Sequence, residues 1–255
     1  MRIITPLSAV VSGGASGLGA AVVKRLSKLG VNVSILDLNE ADGLELASKT
    51  NSHFVQVDIA NYDSVSKALA NARKKYGFER ICVNCAGIAP AEKTISKQRV
   101  HDNQLFDKVI SVNLTGTFNL SSQAALGMAA LSTVNESGER GIIINTTSIA
   151  SYEGQIGQLA YSASKAGVSG MVLPMARDLS HHGIRVMGIA PGIFATPMVD
   201  GLPEEVQNKL GSSVPFPSRL GEPKEFADLV VQIIENTMLN GEVIRLDGAI
   251  RLAPR

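Results

Sequence analysis

The sequence predicts a doubly wound α/β fold, a seven-stranded parallel sheet with helices on both faces. Two observations carry that expectation. Short apolar runs of strand length alternate with helix-periodic runs along the whole chain, the pattern of a parallel sheet joined by right-handed helical crossovers. The first strand passes through a glycine cluster directly into a helix, the order in which open α/β sheets build an anion site. A chain of 255 residues suits one large domain of this kind and is ample for a continuous core.

Leu7 to Ser12 reads as the first strand. Gly13, Gly14, Ala15, Ser16, Gly17, Leu18 and Gly19 follow, then a helix periodic through Ala21, Val22, Leu26 and Leu29 and closed by Gly30. The glycines permit a tight turn and close backbone approach, and the helix N-terminus offers N–H groups to a pyrophosphate. The spacing is Gly-x-x-x-Gly-x-Gly, which is not the Gly-x-Gly-x-x-Gly fingerprint. Nor is it a P-loop, because Ala20 and Ala21 stand where Lys and Ser or Thr are required. An ordinary turn is the competing reading. Val31 to Leu36 is the second strand, and Asp37 at its tip lies twenty residues beyond Gly17. Its carboxylate could accept hydrogen bonds from ribose hydroxyls and would repel a 2′-phosphate. With no Lys or Arg from Leu36 to Ala41 to receive such a phosphate, NAD is favoured over NADP; a capping Asp is the alternative.

A helix is expected over Glu40 to Lys49, and a third strand over Phe54 to Val57. Asp58 and Ile59 follow it and could meet an adenine amino group and ring. Asp58 could equally serve the helix that starts at Asn61 and buries Val65, Leu69 and Ala72. Strand four ends in Asn84, Cys85, Ala86 and Gly87, whose small residues let the backbone run beside a cofactor. Ile88 to Asn103 reads as a loop in which Lys93, Lys97, Arg99 and His101 stand against Glu92 and Asp102. Such a loop is either solvated surface or a seat for the phosphates of a coenzyme A substrate. A long helix from about Gln104 to Ala130 carries Asn113, a residue mildly unfavourable in a helix interior that could hold a water. After a turn over Asn135 to Gly141, strand five runs into Ser148. The helix bearing Tyr161 extends toward Leu179 despite Pro174. Strand six, Ile184 to Ala190, leads into Pro191, Gly192, Ile193, Phe194, Ala195 and Thr196, at a strand end where such sheets bind ligands. Residues 193–219 lack a strand signal and are expected to form a helical lid over substrate. The helix Glu222 to Glu235 and the strand Glu242 to Leu246 complete the series.

Composition excludes several classes of partner. A net charge of +1 gives no global reason to bind nucleic acid or an anionic membrane. The absence of Trp and an aromatic content of 4% leave no stacking platform for single strands. No apolar run approaches the ~20 residues of a spanning helix, so a soluble compartment is expected, most simply the cytoplasm, with the mitochondrial matrix as the eukaryotic alternative. Cys82 and Cys85 share the Cys-x-x-Cys spacing of redox and zinc motifs. On a strand, however, positions three apart face opposite sides, and His53, His101, His181 and His182 show no ligand spacing. No metal is expected, and two unpaired thiols fit a reducing interior.

The chemistry-bearing stretch runs from Ser148 to Lys165. Tyr161 and Lys165 are four apart, so on a helix they leave the same face one turn apart. An ammonium beside a phenol that ordinarily titrates near ~10 favours tyrosinate, which could act as a base near neutral pH. Ser148, at a strand end, could hold the reacting oxygen. Taken alone, Tyr-x-x-x-Lys is a common helical surface pair and Ser148 an ordinary turn residue.

Together these pieces resemble the short-chain dehydrogenase/reductase family over the whole chain. The resemblance rests on Ser12-Gly13-x-x-x-Gly17-x-Gly19, Asn84-Cys85-Ala86-Gly87, Asn113, Ser148, Tyr161-x-x-x-Lys165 and Pro191-Gly192, all in the family order. Each motif is weak alone; jointly they are very specific. Ser12 stands where Thr is usual, and Cys85 where a second Asn is common, which removes a side-chain amide. GGASGLG from Gly13 to Gly19, VPFPSRLGEP from Val214 to Pro223 and NGEVIRLDGAIRL from Asn240 to Leu252 look most like the branch of type 2 3-hydroxyacyl-CoA dehydrogenases. The resemblance implies a Rossmann-like fold, NAD as cofactor, an acyl-CoA substrate and a homotetramer. It implies that Ser16, Leu18, Asp37, Asp58, Ile59, Cys85, Tyr161, Lys165, Phe194 and Thr196 touch NAD. Within it Asn113, Ser148, Tyr161 and Lys165 are the catalytic set, Lys165 lowering the Tyr161 pKa and Asn113 positioning a relay water. Reduction of an acyl-carrier-protein-bound 3-oxoacyl group, oxidation of a steroid or other secondary alcohol, and a non-catalytic NAD sensor are the alternatives.

Overall fold

Runs of Val and Ile too short for long helices form the strands, and the turns between them feed helices with one apolar face. The computed structural model describes residues 1–3, 7–201 and 203–254; Leu202, within the expected lid, lies outside them. Strands β1 (Ser8–Ser12), β2 (Asn32–Asp37), β3 (His53–Gln56) and β4 (Ile81–Asn84) alternate with helices α1 (Gly17–Lys28), α2 (Glu40–Thr50) and α3 (Tyr62–Tyr76). A small hairpin, β5 (Ile95–Ser96) and β6 (Arg99–Val100), precedes α4 (Asn103–Ile110), a π-helical turn (Ser111–Thr115) and α5 (Gly116–Ala129). Then come β7 (Gly141–Thr146), α6 (Leu159–Asp178), β8 (Ile184–Pro191), α7 (Pro197–Asp200), α8 (Glu204–Ser212), α9 (Pro223–Glu235) and β9 (Val243–Leu246).

Seven strands form one parallel sheet in the order β3-β2-β1-β4-β7-β8-β9. Side chains alternate between its faces. Val11, Val83, Ile142 and Ile144 pack with Val22, Leu26, Phe226 and Val230 on one side; Val10, Cys82, Ile143 and Val186 pack with Val65, Leu69, Leu120 and Ala124 on the other. Strand order reverses at β1, which has β2 on one flank and β4 on the other. Ser12 stands opposite Leu36 and Asn84, and Asn84 opposite Asn145. The strands therefore end level, and the loops that leave them open into one crevice, where open α/β sheets bind ligands.

Two expectations need correction. The segment from Ile88 to Asn103 is not all loop, since β5 and β6 pair antiparallel across Lys97 and Gln98, both at positive φ (47° and 63°). That turn normally takes Asn or Gly, so the sequence carries no hairpin signal there. The long helix expected over Gln104 to Ala130 is interrupted around Asn113, where Gly116 N–H bonds back to the Ser111 carbonyl, five residues away.

At the opposite end of the sheet from the crevice, Arg185 at the start of β8 is buried. It donates to Glu139 Oε1 at 2.9 Å and to the carbonyls of Ile233 (2.9 Å), Ile234 (2.8 Å), Asn236 (3.2 Å) and Leu239 (2.9 Å). It thus serves as the C-terminal cap of α9 and as a buried ion pair. Replacing Arg185 by Met leaves a buried carboxylate and several carbonyls without this partner. We expect Arg185→Met to lose about 3–5 kcal/mol of stability, read as a lower urea midpoint with an unchanged slope.

Candidate active site

The turn after β1 is shaped by close backbone approach. A Cβ on Gly13, whose φ is 60°, would lie 2.7 Å from Ala86 Cα, and one on Gly19 would lie 2.1 Å from the Gly13 carbonyl oxygen. Helix α1 has no side-chain cap at Ser16 and no acidic residue in its first turn, so its N–H end is fitted to an anion. Asp37 braces this loop by accepting from Ala15 N at 3.0 Å, while its other oxygen accepts from Asn39 N at 3.0 Å. Gly17 faces the lid, since a Cβ there would meet Thr196 and Pro197 at 3.6 Å. Gly192, just past β8, packs so closely on Asp247 that a Cβ would come within 2.9 Å of its Cα. The crevice thus brings together Gly13, Ser16, Gly17, Leu18, Gly19, Asp37, Cys85, Ala86, Gly87, Pro191, Gly192 and Thr196. They form a cradle of helix N-terminus, glycine backbone and one carboxylate that fits a dinucleotide.

Three residues expected to touch the dinucleotide have side chains engaged elsewhere. Asp58 Oδ1 accepts from Ala60 N at 2.9 Å, within its own turn. The Ile59 side chain is buried on Gly116, where a Cβ would lie 2.8 Å from it. Phe194 is turned into the core against Gly221, with which its backbone forms a bridge. Cys82 and Cys85 pack on opposite sides of the sheet, and burial pushes the Cys85 thiol up to about 11 despite a hydrogen bond from Thr146.

Ser148, Tyr161, Lys165 and Asn113 converge at the ends of β4 and β7. Ser148 is buried two residues beyond β7, and its Oγ accepts from Ala150 N at 3.1 Å as the cap of a short 3-10 turn. The same hydroxyl lies near enough to the Tyr161 phenol to lower its proton affinity in part. One turn along α6, Lys165 is buried with its Nζ donating to the Thr146 carbonyl at 2.8 Å and lying 5.9 Å from the centre of the Tyr161 ring. Asn113 is fully buried. Its Oδ1 accepts from Ile88 N at 2.8 Å, and its Nδ2 donates to Ile88 O at 2.9 Å and to Ser164 Oγ at 3.0 Å. Gly87 makes room for both, because a Cβ there would press on Asn113 Oδ1 at 3.2 Å and on Lys165 Nζ at 3.5 Å.

Desolvation in the crevice pushes the Tyr161 pKa above its ordinary 10, the nearby Ser148 hydroxyl only partly opposing it. Lys165 donates to the Thr146 carbonyl, and burial pushes its own pKa down to about 8. The Asn113 side-chain amide is committed to Ile88 and Ser164. Its main-chain oxygen accepts from Thr117 Oγ1 at 2.7 Å.

The model of the short chain dehydrogenase family matches residues 8–207. The chain belongs to the short-chain dehydrogenase family. Membership makes it an oxidoreductase that works with a nicotinamide cofactor. It is 52% identical over 257 residues to human 3-hydroxyacyl-CoA dehydrogenase type-2, covering 99% of this chain and 98% of that protein. To the protein of the same name from Bos taurus it is 51% identical with the same coverage. A crystal structure of 3-hydroxyacyl-CoA dehydrogenase type-2 from Mycobacterium avium superposes with a TM-score of 0.93 at 42% identity, over 98% of this chain and 97% of that one. Among the described residues no helix is long and apolar enough to cross a membrane.

Sequence reasoning missed two parts of this short-chain dehydrogenase site. Thr146, which receives the Lys165 amine and donates to Cys85 at 3.5 Å, sits at a strand end with no motif around it. Ser164, which positions Asn113, lies inside the Tyr161-x-x-x-Lys165 stretch and reads there as helix filler.

The buried amine has a consequence for stability. The folded Lys165 pKa of about 8 lies below its ordinary 10.5. Between pH 8 and about 10 the unfolded chain therefore binds this proton more than the folded chain, and the Lys165 contribution to stability rises with pH across that window. Below pH 8 the fold bears a buried charge. We expect Lys165→Met to abolish the rise and to raise the unfolding midpoint at pH 7, measured by thermal denaturation from pH 6 to 10.

Proposed function

We propose that this chain interconverts 3-hydroxyacyl-CoA and 3-oxoacyl-CoA with NAD as cofactor. The observation that carries the proposal is the convergence of Ser148, Tyr161 and Lys165 beside the glycine cradle. It is supported by relatives of that name matching from end to end. When bound, the nicotinamide accepts the hydride from C3 in oxidation and returns it in reduction. Tyr161 takes the C3 hydroxyl proton in oxidation and gives it back in reduction. Its raised pKa makes it a ready donor at neutral pH in the reductive direction. Oxidation needs the phenolate, which is favoured as pH rises and by a charged Lys165 nearby. Ser148 holds the substrate oxygen as it changes between hydroxyl and carbonyl. Asn113, through its main-chain oxygen, holds a water on the path between Lys165 and solvent.

The whole chain acts in this reading as one NAD-binding unit, with residues 193–219 as its substrate lid. Asp37 supports NAD over NADP, because its carboxylate stands at the tip of β2 with no cation from Leu36 to Ala41. Gly13, Ser16, Gly17, Leu18, Gly19, Cys85, Ala86, Gly87, Pro191, Gly192 and Thr196 complete the cofactor contacts, with the backbone of Ile59 and Phe194 and the edge of Asp58. The exposed Lys93 and Lys97 at the root and turn of the hairpin suit the phosphates of coenzyme A. Arg99 is spoken for in part by Glu92, at 3.3 Å. The groove between α5 and α6, lined by Phe118, Leu126, Met171 and Met175, supports a homotetramer, since Phe118 and Leu126 are otherwise exposed. The free thiols suit a reducing compartment, the cytoplasm or the mitochondrial matrix.

Two measurements test the reading. Tyr161→Phe is expected to retain NADH binding by fluorescence titration while losing at least about 100-fold in kcat with acetoacetyl-CoA; unimpaired turnover removes Tyr161 from the mechanism. With the parent protein, NADH is expected to exceed NADPH in kcat/KM by about tenfold or more, and Asp37→Asn to narrow the gap. A preference for NADPH overturns the cofactor assignment and favours an acyl-carrier-protein reductase.

A further inference from the structure

The sheet does not hold Ser148 in place. Strand β7 ends at Thr146, and the last ladder-like contact is Thr147, whose N–H and hydroxyl both donate to the Ile189 carbonyl, at 2.8 and 3.1 Å. Beyond it the chain makes a tight turn in which Ser151 N bonds to Ser148 O and both Tyr152 N and Glu153 N bond to Ile149 O. The far end of that turn is gripped from the last strand. Arg245 in β9 donates through Nη1 to Glu153 Oε1 (2.9 Å) and through Nη2 to Glu153 Oε2 (3.3 Å) and the Ile250 carbonyl (3.1 Å). Its Nε donates to Asp247 Oδ2 at 2.7 Å, and its guanidinium lies 5.4 Å from the centre of the Tyr152 ring.

The same grip organises the chain after β9. Asp247 Oδ1 accepts from Ala249 N at 3.0 Å, and Glu153 Oε2 accepts from Leu252 N at 3.0 Å. Arg251 adds contacts of 3.3 Å to Glu153 and to Asp247. This folds the 247–252 turn so that Ile250 packs with Ile149, the neighbour of Ser148, and with Val214 of the lid, and Ile193 and Leu252 close the cluster. The lid is tied in once more where Phe216 N donates to Gly248 O at 3.3 Å. One guanidinium therefore joins the turn that carries Ser148, the lid and the segment after the last strand.

We infer that Arg245, held between Glu153 and Asp247, is a positioning residue that fixes Ser148 and the lid for turnover. The inference rests on the reading above that Ser148 holds the substrate oxygen. Lys in its place keeps the charge but cannot span two carboxylates and a carbonyl, and Gln at Glu153 keeps the shape but loses the ion pair.

The test uses the full chain with acetoacetyl-CoA and NADH. Arg245→Lys and Glu153→Gln are each expected to lower kcat by about tenfold or more, with the NADH Kd within about twofold of the parent. Because both break one device, the double variant is expected to be no worse than the poorer single variant. Single variants with kcat within about twofold of the parent, NADH affinity lost in step with kcat, or losses that multiply in the double variant overturn the inference. If neither half-buried variant yields folded protein, Arg251→Gln decides it, because that side chain is 61% exposed. A fall in its kcat at unchanged NADH Kd supports the clasp, and parental turnover overturns it. Ser148→Ala is run alongside. If it retains turnover, the reading of Ser148 falls and the inference with it. If it loses turnover while the Arg245 and Glu153 variants do not, the inference alone falls.

Discussion

The crevice depends on the register that holds β1, β4 and β7 level. Ser12, Asn84 and Asn145 face one another across adjacent parallel strands, so the glycine turn, the Cys85-Ala86-Gly87 segment and the approach to Ser148 all leave the sheet at one height. A slip of one residue would send every side chain of a strand to the opposite face. It would also carry Gly13 away from Ala86, a contact so close that no Cβ fits. Burial of both faces makes such a slip costly, because Ile142 and Ile144 would exchange sides with Ile143. The core thereby sets the geometry of the chemistry.

Within that frame the site is built by excluding water from charged groups. Lys165 is buried with one carbonyl as its direct partner, and desolvation shifts Tyr161 and Lys165 in opposite directions, each toward its neutral form. At neutral pH the pair is a phenol beside an ammonium that holds its proton less tightly than usual.

Much of this was legible in the sequence, and the exceptions share a cause. Strand and helix positions followed from Val and Ile runs and from a local start signal at Asn61, which accepts from Ser64 N. The spacing of Tyr161 and Lys165 gave their shared helix face. Their proton affinities were not legible, because desolvation is set by segments brought in from elsewhere in the chain. The break in the helix at Asn113 was hidden for the same reason: its amide is drawn to Ile88 and to Ser164, fifty-one residues away. The side chains of Ile59 and Phe194 turn toward glycines, Gly116 and Gly221, whose vacancy only the fold reveals. The hairpin escaped notice because Lys97 and Gln98 occupy a turn that usually advertises itself with Asn or Gly.

Arg185 and the crevice lie at opposite ends of the same strand. The guanidinium gathers the carbonyls that finish α9 where β8 begins, while Pro191 and Gly192 meet the cradle where it ends. Robustness and reactivity are thus anchored at the two ends of one eight-residue strand, with no shared side chain. A lineage adapting to heat or cold can rework the lower anchorage while its chemistry stays untouched, and one acquiring a new substrate can remodel the lid without first gaining thermal reserve.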